Sequence, residues 1–250
     1  MVNQKQQRNY FKKRIKNIRF HLHAFCLSKN VEELHQLRVE IKKVNALLHF
    51  SCNCSKQKHL DEQLNPLKEV FEHAGLIRNV HISLQLTKGI ANKKFIDQQN
   101  LLKQSEWEKL ADKYYIYKQY IKHLYKNILP LFQTIKNKQS AKWFRNELNK
   151  ATKKLKHEPV DPHTARKKIK RMLYMDKLHH SPMAINKPFL KQLEDDISNW
   201  HDIAYTMHIL KPEHTTRKNA GDKLKATQSE LNFSIAQSSK IFKQKAVIKK

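Results

Sequence analysis

The sequence predicts an all-α protein, and three observations lead to that prediction. Glycine and proline are scarce, with 3 and 7 residues in a chain of 250, so few sharp turns interrupt it. Long segments rich in Leu, Lys, Gln and Glu, which favour helices, fill much of the rest. Within these segments apolar residues recur every three or four positions, as they do on a helix with one buried face.

The first half of the chain, about residues 8–137, contains several predicted helices. Asn30 and Glu33 have the spacing of a capping box, Gly75 is suited to end a helix, and Pro130 is expected to interrupt one. The apolar periodicity places these helices over residues 8–28, from Asn30 onward, and over 59–74, 77–88 and 99–137.

The second half, about residues 138–250, repeats this organisation. Asp161 followed by Pro162 is a strong start signal, because Asp caps a helix and Pro fits its first position. We expect the two halves to form a single domain over residues 1–250. The predicted helices cover residues 140–157, a segment that begins at Asp161, and residues 188–211 and 214–245.

The net charge of +28, from 50 Lys and Arg against 22 Asp and Glu, is the strongest functional signal in the composition. Small soluble domains usually carry a net charge of about 2–8 in magnitude. The folded surface therefore repels itself unless an anionic partner neutralises it. Nucleic acid, an acidic membrane surface or a phosphate polymer would supply that charge.

Cysteine content and the absence of apolar runs bear on the compartment. Cys26, Cys52 and Cys54 cannot all pair with one another. The first residues are polar and basic, without the apolar core of a secretion signal. No run approaches the roughly 18 apolar residues of a membrane span. We therefore expect a cytoplasmic protein without a membrane span; the oligomeric state is not predicted.

A basic pattern occurs twice, each time near the start of a predicted helix. In both copies a histidine is followed by basic residues three, seven and eight positions later, with isoleucine at the sixth position. On a helix, positions zero, three and seven form one stripe, separate from the apolar stripe. The two basic stripes consist of His35, Arg38, Lys42 and Lys43 in the first half and His163, Arg166, Lys170 and Arg171 in the second.

A second pair of matching segments follows the stripes. The sequence "GLIRNVHISLQL", residues 75–86, aligns with "ISNWHDIAYTMHIL", residues 197–210. Arg78-Asn79 then stands opposite His201-Asp202, and these pairs begin 43 and 38 residues after the respective stripe histidines. Two repeated elements in the same order indicate two related halves.

These repeats resemble the CHAD domain, the conserved-histidine α-helical domain. Its signature is H-x-x-R-V-x-x-[KR]-[KR]-x-R, followed in each copy by an L-G-x-x-R-D-x-D type segment. The resemblance covers about residues 8–245. It implies two helical bundles related by a pseudo-two-fold axis, with both basic stripes facing a shared groove, and it implies binding of inorganic polyphosphate. The chain departs from the signature at its last arginine, where Asn45 and Leu173 stand, and lacks most acids of the second segment.

The expected binding residues follow from the resemblance together with the charge pattern. The eight stripe residues would hold phosphate through charge-assisted hydrogen bonds, and Arg78 and His201 would support them. Asn79 and Asp202 would orient neighbouring cations. A flexible polymer with a charge on every phosphate and no bases needs only such a line of cations. We therefore expect a binding module that is not an enzyme and uses no cofactor or metal.

Nucleic-acid binding is the main alternative, because it would use the same positive charge. The chain has no zinc-finger spacing, RNP-like motif or basic zipper. Several tyrosines on one predicted helix are able to stack on bases, although their spacing fits core packing better. They are Tyr114, Tyr115, Tyr117, Tyr120 and Tyr125.

A metal site is a further alternative, and two sets of residues have the right chemistry. An HD-type metal phosphohydrolase would use His201-Asp202 with His180 and Asp222, but a metal pair needs more acids than this basic chain places nearby. The second set contains a C-x-C spacing that is not the usual C-x-x-C of structural zinc sites. It consists of His49, Cys52, Cys54 and His59.

Overall fold

The computed structural model describes residues 1–55, 60, 62–156, 160–178, 183–216 and 221–248. The all-α prediction is confirmed: the described segments form α-helices joined by short loops and 3-10 turns. The helices are α1 (Gln4–Ser28), α2 (Val31–Ser55), α3 (Asn65–Leu86), α4 (Lys93–Asp112), α5 (Tyr114–Ile128), α6 (Asn137–Lys156), α7 (Pro162–Leu178), α8 (Lys187–Ile209) and α9 (Asp222–Lys245).

The helices form two bundles with matching order. In the first half α2 packs against α1 and α3, and in the second half α7 packs against α6 and α8. Between the halves α2 packs against α7, and α3 packs against α8. Each of these contacts joins a helix to its counterpart, as a pseudo-two-fold axis between the bundles requires. One apolar cluster contains buried residues of both halves, such as Leu37 and Ile169.

Local start signals explain where several helices begin. Asn3 forms a capping box with Gln6 at the start of α1, and Asn186 accepts a hydrogen bond from the backbone of Phe189 at the start of α8. The prediction for Asp161 is confirmed: its Oδ1 accepts a hydrogen bond from the Thr164 backbone at 2.9 Å, and α7 begins at Pro162. The polar cap at Asp161 thus helps to fix the start of α7, the helix that carries the second stripe.

The prediction that a helix ends near Gly75 is wrong. The helix α3 continues through Gly75 to Leu86, so the predicted third and fourth helices are one. Gly75 is helical, and a Cβ there would meet the guanidinium of Arg38. The glycine therefore makes room for a neighbouring side chain.

The single long pattern over residues 99–137 is also divided differently. The helix α4 begins earlier, at Lys93, where Asn92 caps it, and a break at Lys113 separates it from α5. Pro130 lies in a 3-10 turn, so the predicted interruption there is confirmed. The last helix begins at Asp222, later than predicted, because a 3-10 turn at Pro212–His214 precedes it.

A small second apolar cluster lies where α3, α4, α8 and α9 meet. Phe95, Ile203 and Leu224 form its core, apart from the main cluster. This cluster is a further contact between the two halves, in addition to the contact between α2 and α7. In the segments that the structure describes, no helix is long and apolar enough to cross a membrane.

Burial of α9 predicts unequal effects for two of its phenylalanines. Phe242 is fully buried and Phe233 is 66% exposed. Phe242→Ala should lower the free energy of unfolding by about 3–5 kcal/mol, because it leaves a cavity in the main core. Phe233→Ala should change it by less than about 0.5 kcal/mol. Urea unfolding followed by circular dichroism measures both, and a small loss for Phe242→Ala would mean that α9 does not complete the core.

Candidate functional site

The two basic stripes meet in the middle of the molecule, where α2 and α7 lie beside α3 and α8. Lys42 is at the centre. Burial, followed by the charges of Lys170, Arg38, Arg166 and Arg78, lowers the pKa of Lys42 to about 6. These five residues are called the central cation cluster below. Each of the five residues is partly exposed.

In the first half the cluster rests on an aromatic ring. The guanidinium of Arg38 lies over the Phe71 ring, 3.9 Å from its centroid, and donates to the Phe71 carbonyl oxygen. The Lys42 ammonium lies 5.5 Å from the same centroid. Among the residues that the structure describes, no carboxylate lies within salt-bridge distance of Arg38 or Lys42. Burial, and then Arg78, lower the pKa of Arg38 to about 10.

In the second half the cluster is held by a carboxylate. Glu194 Oε1 accepts hydrogen bonds from Arg166 Nε and Lys170 Nζ, both at 2.8 Å. Arg166 also donates through Nη2 to Ser198 Oγ at 2.9 Å. Burial alone would raise the pKa of Glu194, but Lys170 and Arg166 lower it to about 2. Glu194 therefore stays ionised between these cations.

A bidentate salt bridge joins the two halves beside the cluster. Arg78 of α3 donates to both carboxylate oxygens of Asp202 of α8, at 3.0 and 2.7 Å. Burial would raise the pKa of Asp202, but its contacts with His201 and Arg78 hold it well below its usual range. The segments that matched in sequence thus contact each other, and Asp202 orients Arg78.

The stripe histidines occupy different surroundings. His35 is exposed as a residue, but partial burial of its ring lowers its pKa. The charge of nearby Glu32 opposes this shift without reversing it. His163 stacks on His201, with ring centroids 5.0 Å apart. Burial, and then Lys167 and His201, lower the pKa of His163. Both stripe histidines are therefore biased towards the neutral form.

Lys43 and Arg171, at the eighth position of each stripe, lie away from the cluster. Lys43 donates to Glu40 at 2.6 Å, and Glu40 also pairs with Arg14 of α1 at 3.0 Å. Arg171 lies 3.8 Å from Glu147 of α6. Lys43 therefore belongs to the contact of α2 with α1, and Arg171 to the contact of α7 with α6. The residues at the third and seventh stripe positions converge in the central cation cluster.

A groove of about 860 Å³ opens beside the cluster between the two halves. His35, Arg78 and Asp202 line it, and apolar side chains such as Ile203 and Leu231 form part of its wall. The groove thus brings solvent to the Arg78 side of the cluster and to one stripe histidine.

The tyrosines of α5 mostly pack inward. Tyr117 is fully buried, and its hydroxyl lies 3.0 Å from His73 Nδ1. Tyr114, Tyr120 and Tyr125 pack against the main core, whereas Tyr115 is 73% exposed. The arrangement gives α5 a structural role in joining α1 and α3.

The residues considered for a metal are dispersed or engaged. Asp202 is bound by Arg78, and Asp222 pairs with Lys225 on α9. Burial lowers the pKa of His49 to about 3, and its Nδ1 lies 3.3 Å from Trp143 Nε1. Burial raises the pKa of Cys54 to about 12. His59 and His180 lie outside the described residues, in which no group of three His, Cys, Asp or Glu side chains is placed to hold a metal.

The repeat pattern did not identify Phe71, Gly75, Glu194 and Ser198, which surround the stripe arginines. A signal was present, because Phe71 and Glu194 each stand seven residues before the aligned Arg78 and His201. Gly75 and Ser198 each stand three residues before them. The aligned segments already pair Gly75 with Ser198, and extending the alignment by about one helical turn would have paired Phe71 with Glu194.

Replacing Lys42 by Met should stabilise the ligand-free protein near neutral pH. The pKa of Lys42 is about 6 in the fold and about 10.4 in an unfolded chain. Between these values the unfolded chain binds more protons, so the wild-type free energy of unfolding rises with pH. Urea unfolding from about pH 6 to about pH 9 should show the advantage of the variant shrinking as pH rises. An advantage independent of pH, or an equal effect of exposed Lys243→Met, would contradict this.

Comparison with known proteins agrees with this architecture. The family model of the CHAD domain matches residues 9–211. A crystal structure of the CHAD domain from the plant Ricinus communis is similar to this chain with a TM-score of 0.70 at 13% sequence identity, covering 99% of this chain and 94% of the other. A search of curated proteins finds no match. From the family match over most of its length, we conclude that the chain belongs to the CHAD domain family.

Proposed function

We propose that the protein binds inorganic polyphosphate at the central cation cluster. The observation that carries the proposal is the convergence of five cations from both halves, Arg38, Lys42, Arg78, Arg166 and Lys170; burial and then the other four charges lower the pKa of Lys42 to about 6. Folding gains nothing from bringing like charges together in a partly buried place. An anionic ligand would relieve this repulsion.

The shape of the site favours a thin, flexible polyanion. The cluster is partly buried between four helices, whereas a rigid duplex presents its phosphates on a broad surface. The tyrosines of α5 are largely packed in the core, so they do not offer the stacking platform typical of single-strand binding. The overall charge of +28 would steer any polyanion to the protein, but the cluster would select the polymer that fits.

Replacing Arg38 and Lys42 together by Gln should weaken polyphosphate binding by about a hundredfold or more. A charge-assisted hydrogen bond is worth about 1.5–3 kcal/mol, which is about tenfold or more for each residue. Lys42 contributes because an approaching phosphate favours its protonated form. Isothermal titration with polyphosphate of defined length, at physiological salt, measures the loss.

A charge-matched control separates the site from the total charge. Lys243 and Lys245 are exposed in the last turn of α9, and changing both to Gln removes the same number of basic side chains. This control should retain affinity apart from a small, screened term. Equal losses in both double variants, with folding intact, would contradict the site. Tighter binding of duplex DNA of equal charge would favour the nucleic-acid alternative.

We further propose that the protein binds its ligand without hydrolysing it. The carboxylates closest to the cluster, Glu194 and Asp202, are each held by basic side chains, which compete with any metal ion for the same oxygens. Purified protein with added Mg²⁺ or Mn²⁺ should release no phosphate from polyphosphate or nucleotides. Metal-dependent release that disappears in Asp202→Ala would contradict this proposal. A cytoplasmic location, as expected from the sequence, would give access to such a polymer.

A further inference from the structure

The two stripe arginines have different partners at matching positions. Phe71 and Glu194 stand at the same distance before the aligned Arg78 and His201. The guanidinium of Arg38 lies 3.9 Å from the Phe71 ring centroid, whereas Arg166 donates to Glu194 at 2.8 Å. The same position thus holds an aromatic ring in the first half and a carboxylate in the second.

Gly75 and Ser198, the next pair of matching positions, also give the two arginines different surroundings. Gly75 leaves the space in which the Arg38 guanidinium lies, whereas Ser198 accepts a hydrogen bond from Arg166 at 2.9 Å. Arg166 therefore uses two of its guanidinium nitrogens, Nε and Nη2, to donate to polar side chains of α8. Arg38 donates to one backbone carbonyl, at Phe71, and its stacking on the ring leaves its charge without a counter-ion among the described residues.

The surroundings of Glu194 are those that a phosphate would receive. Its side chain is 2% exposed, and its two oxygens contact three cations, namely Arg166 and Lys170 at 2.8 Å and Lys191 at 3.2 Å. A carboxylate and a phosphate are bound by the same forked and ammonium donors. Within the pseudo-symmetric pair, the second half therefore already contains a bound anion that belongs to the protein.

We propose that Glu194 occupies the anion position of the second half as an internal substitute for a ligand phosphate. Polyphosphate then binds first at Arg38 and Lys42, and it gains Arg166 and Lys170 only in competition with Glu194. This inference rests on the proposed function and assigns its regulation to one residue. Glu194 limits affinity and makes the two halves of a pseudo-symmetric site unequal.

Two variants change the charge at positions 194 and 71 in opposite directions. Glu194→Gln removes the internal anion but can still accept a hydrogen bond from Arg166, and it should lower the Kd for polyphosphate by about tenfold or more. It should also steepen the fall of log affinity with log salt by about 0.7–0.9 for each cation released. Phe71→Glu places a carboxylate beside Arg38 and should raise the Kd about tenfold with a shallower salt slope.

The matched control is Asp196→Asn, on the same helix. Asp196 is also buried, but its oxygens accept hydrogen bonds from the neutral side chains of Gln192 and Ser234. This variant makes the same charge change and should bind like the wild type. Circular dichroism checks that each variant folds. If Glu194→Gln does not fold, Phe71→Glu is the deciding variant. Wild-type affinity in Phe71→Glu would then overturn the inference.

The outcomes separate this inference from the proposed function. If the wild type binds polyphosphate and Glu194→Gln binds no more tightly than Asp196→Asn, the inference is wrong while the proposed function stands. If the wild type does not bind but Glu194→Gln does, the proposed function is wrong and the masking role of Glu194 is supported. If neither the wild type nor Glu194→Gln binds polyphosphate, the inference and the proposed function are both wrong.

Discussion

Repulsion between like charges brought together at the interface of the two halves is the constraint on which the rest of this structure depends. Burial, together with the charges of Lys170, Arg38, Arg166 and Arg78, lowers the pKa of Lys42 to about 6. A protein gains no stability from such a cluster, so the surrounding side chains must limit its cost. The identities of those neighbours follow from this requirement.

The two halves meet the requirement by different means. The first half spreads the charge of Arg38 over the face of Phe71 and provides space at Gly75, since the negative face of an aromatic ring attracts a cation without carrying a charge. The second half uses the ionised carboxylate of Glu194. The aromatic ring leaves Arg38 without a counter-ion among the described residues, whereas Glu194 already pairs with the cations of the second half.

The sequence predicted the helical fold, and four of the eight stripe residues converge, but it did not predict the neighbours that determine their charge state. Histidine and basic residues at fixed spacing share a helix face, and the repeat showed that Arg38 and Arg166 are equivalent. Gly75 was interpreted as a helix end because glycine commonly has that role. Its actual role depends on a side chain 37 residues earlier in the sequence, a tertiary contact that local periodicity does not reveal.

At the proposed polyanion site, the bidentate contact between Arg78 and Asp202 would set a minimum number of linked charges that a ligand needs. An anion that takes over the two Arg78 nitrogens that donate to Asp202 must displace that carboxylate, and it leaves the carboxylate half-buried. A single small anion gains little from this exchange, because it offers Arg78 about what Asp202 offered. A polymer adds several further contacts in the same event. For the proposed ligand, the salt bridge would thus discriminate by the number of linked charges rather than by charge alone, and small single anions would compete poorly for the site.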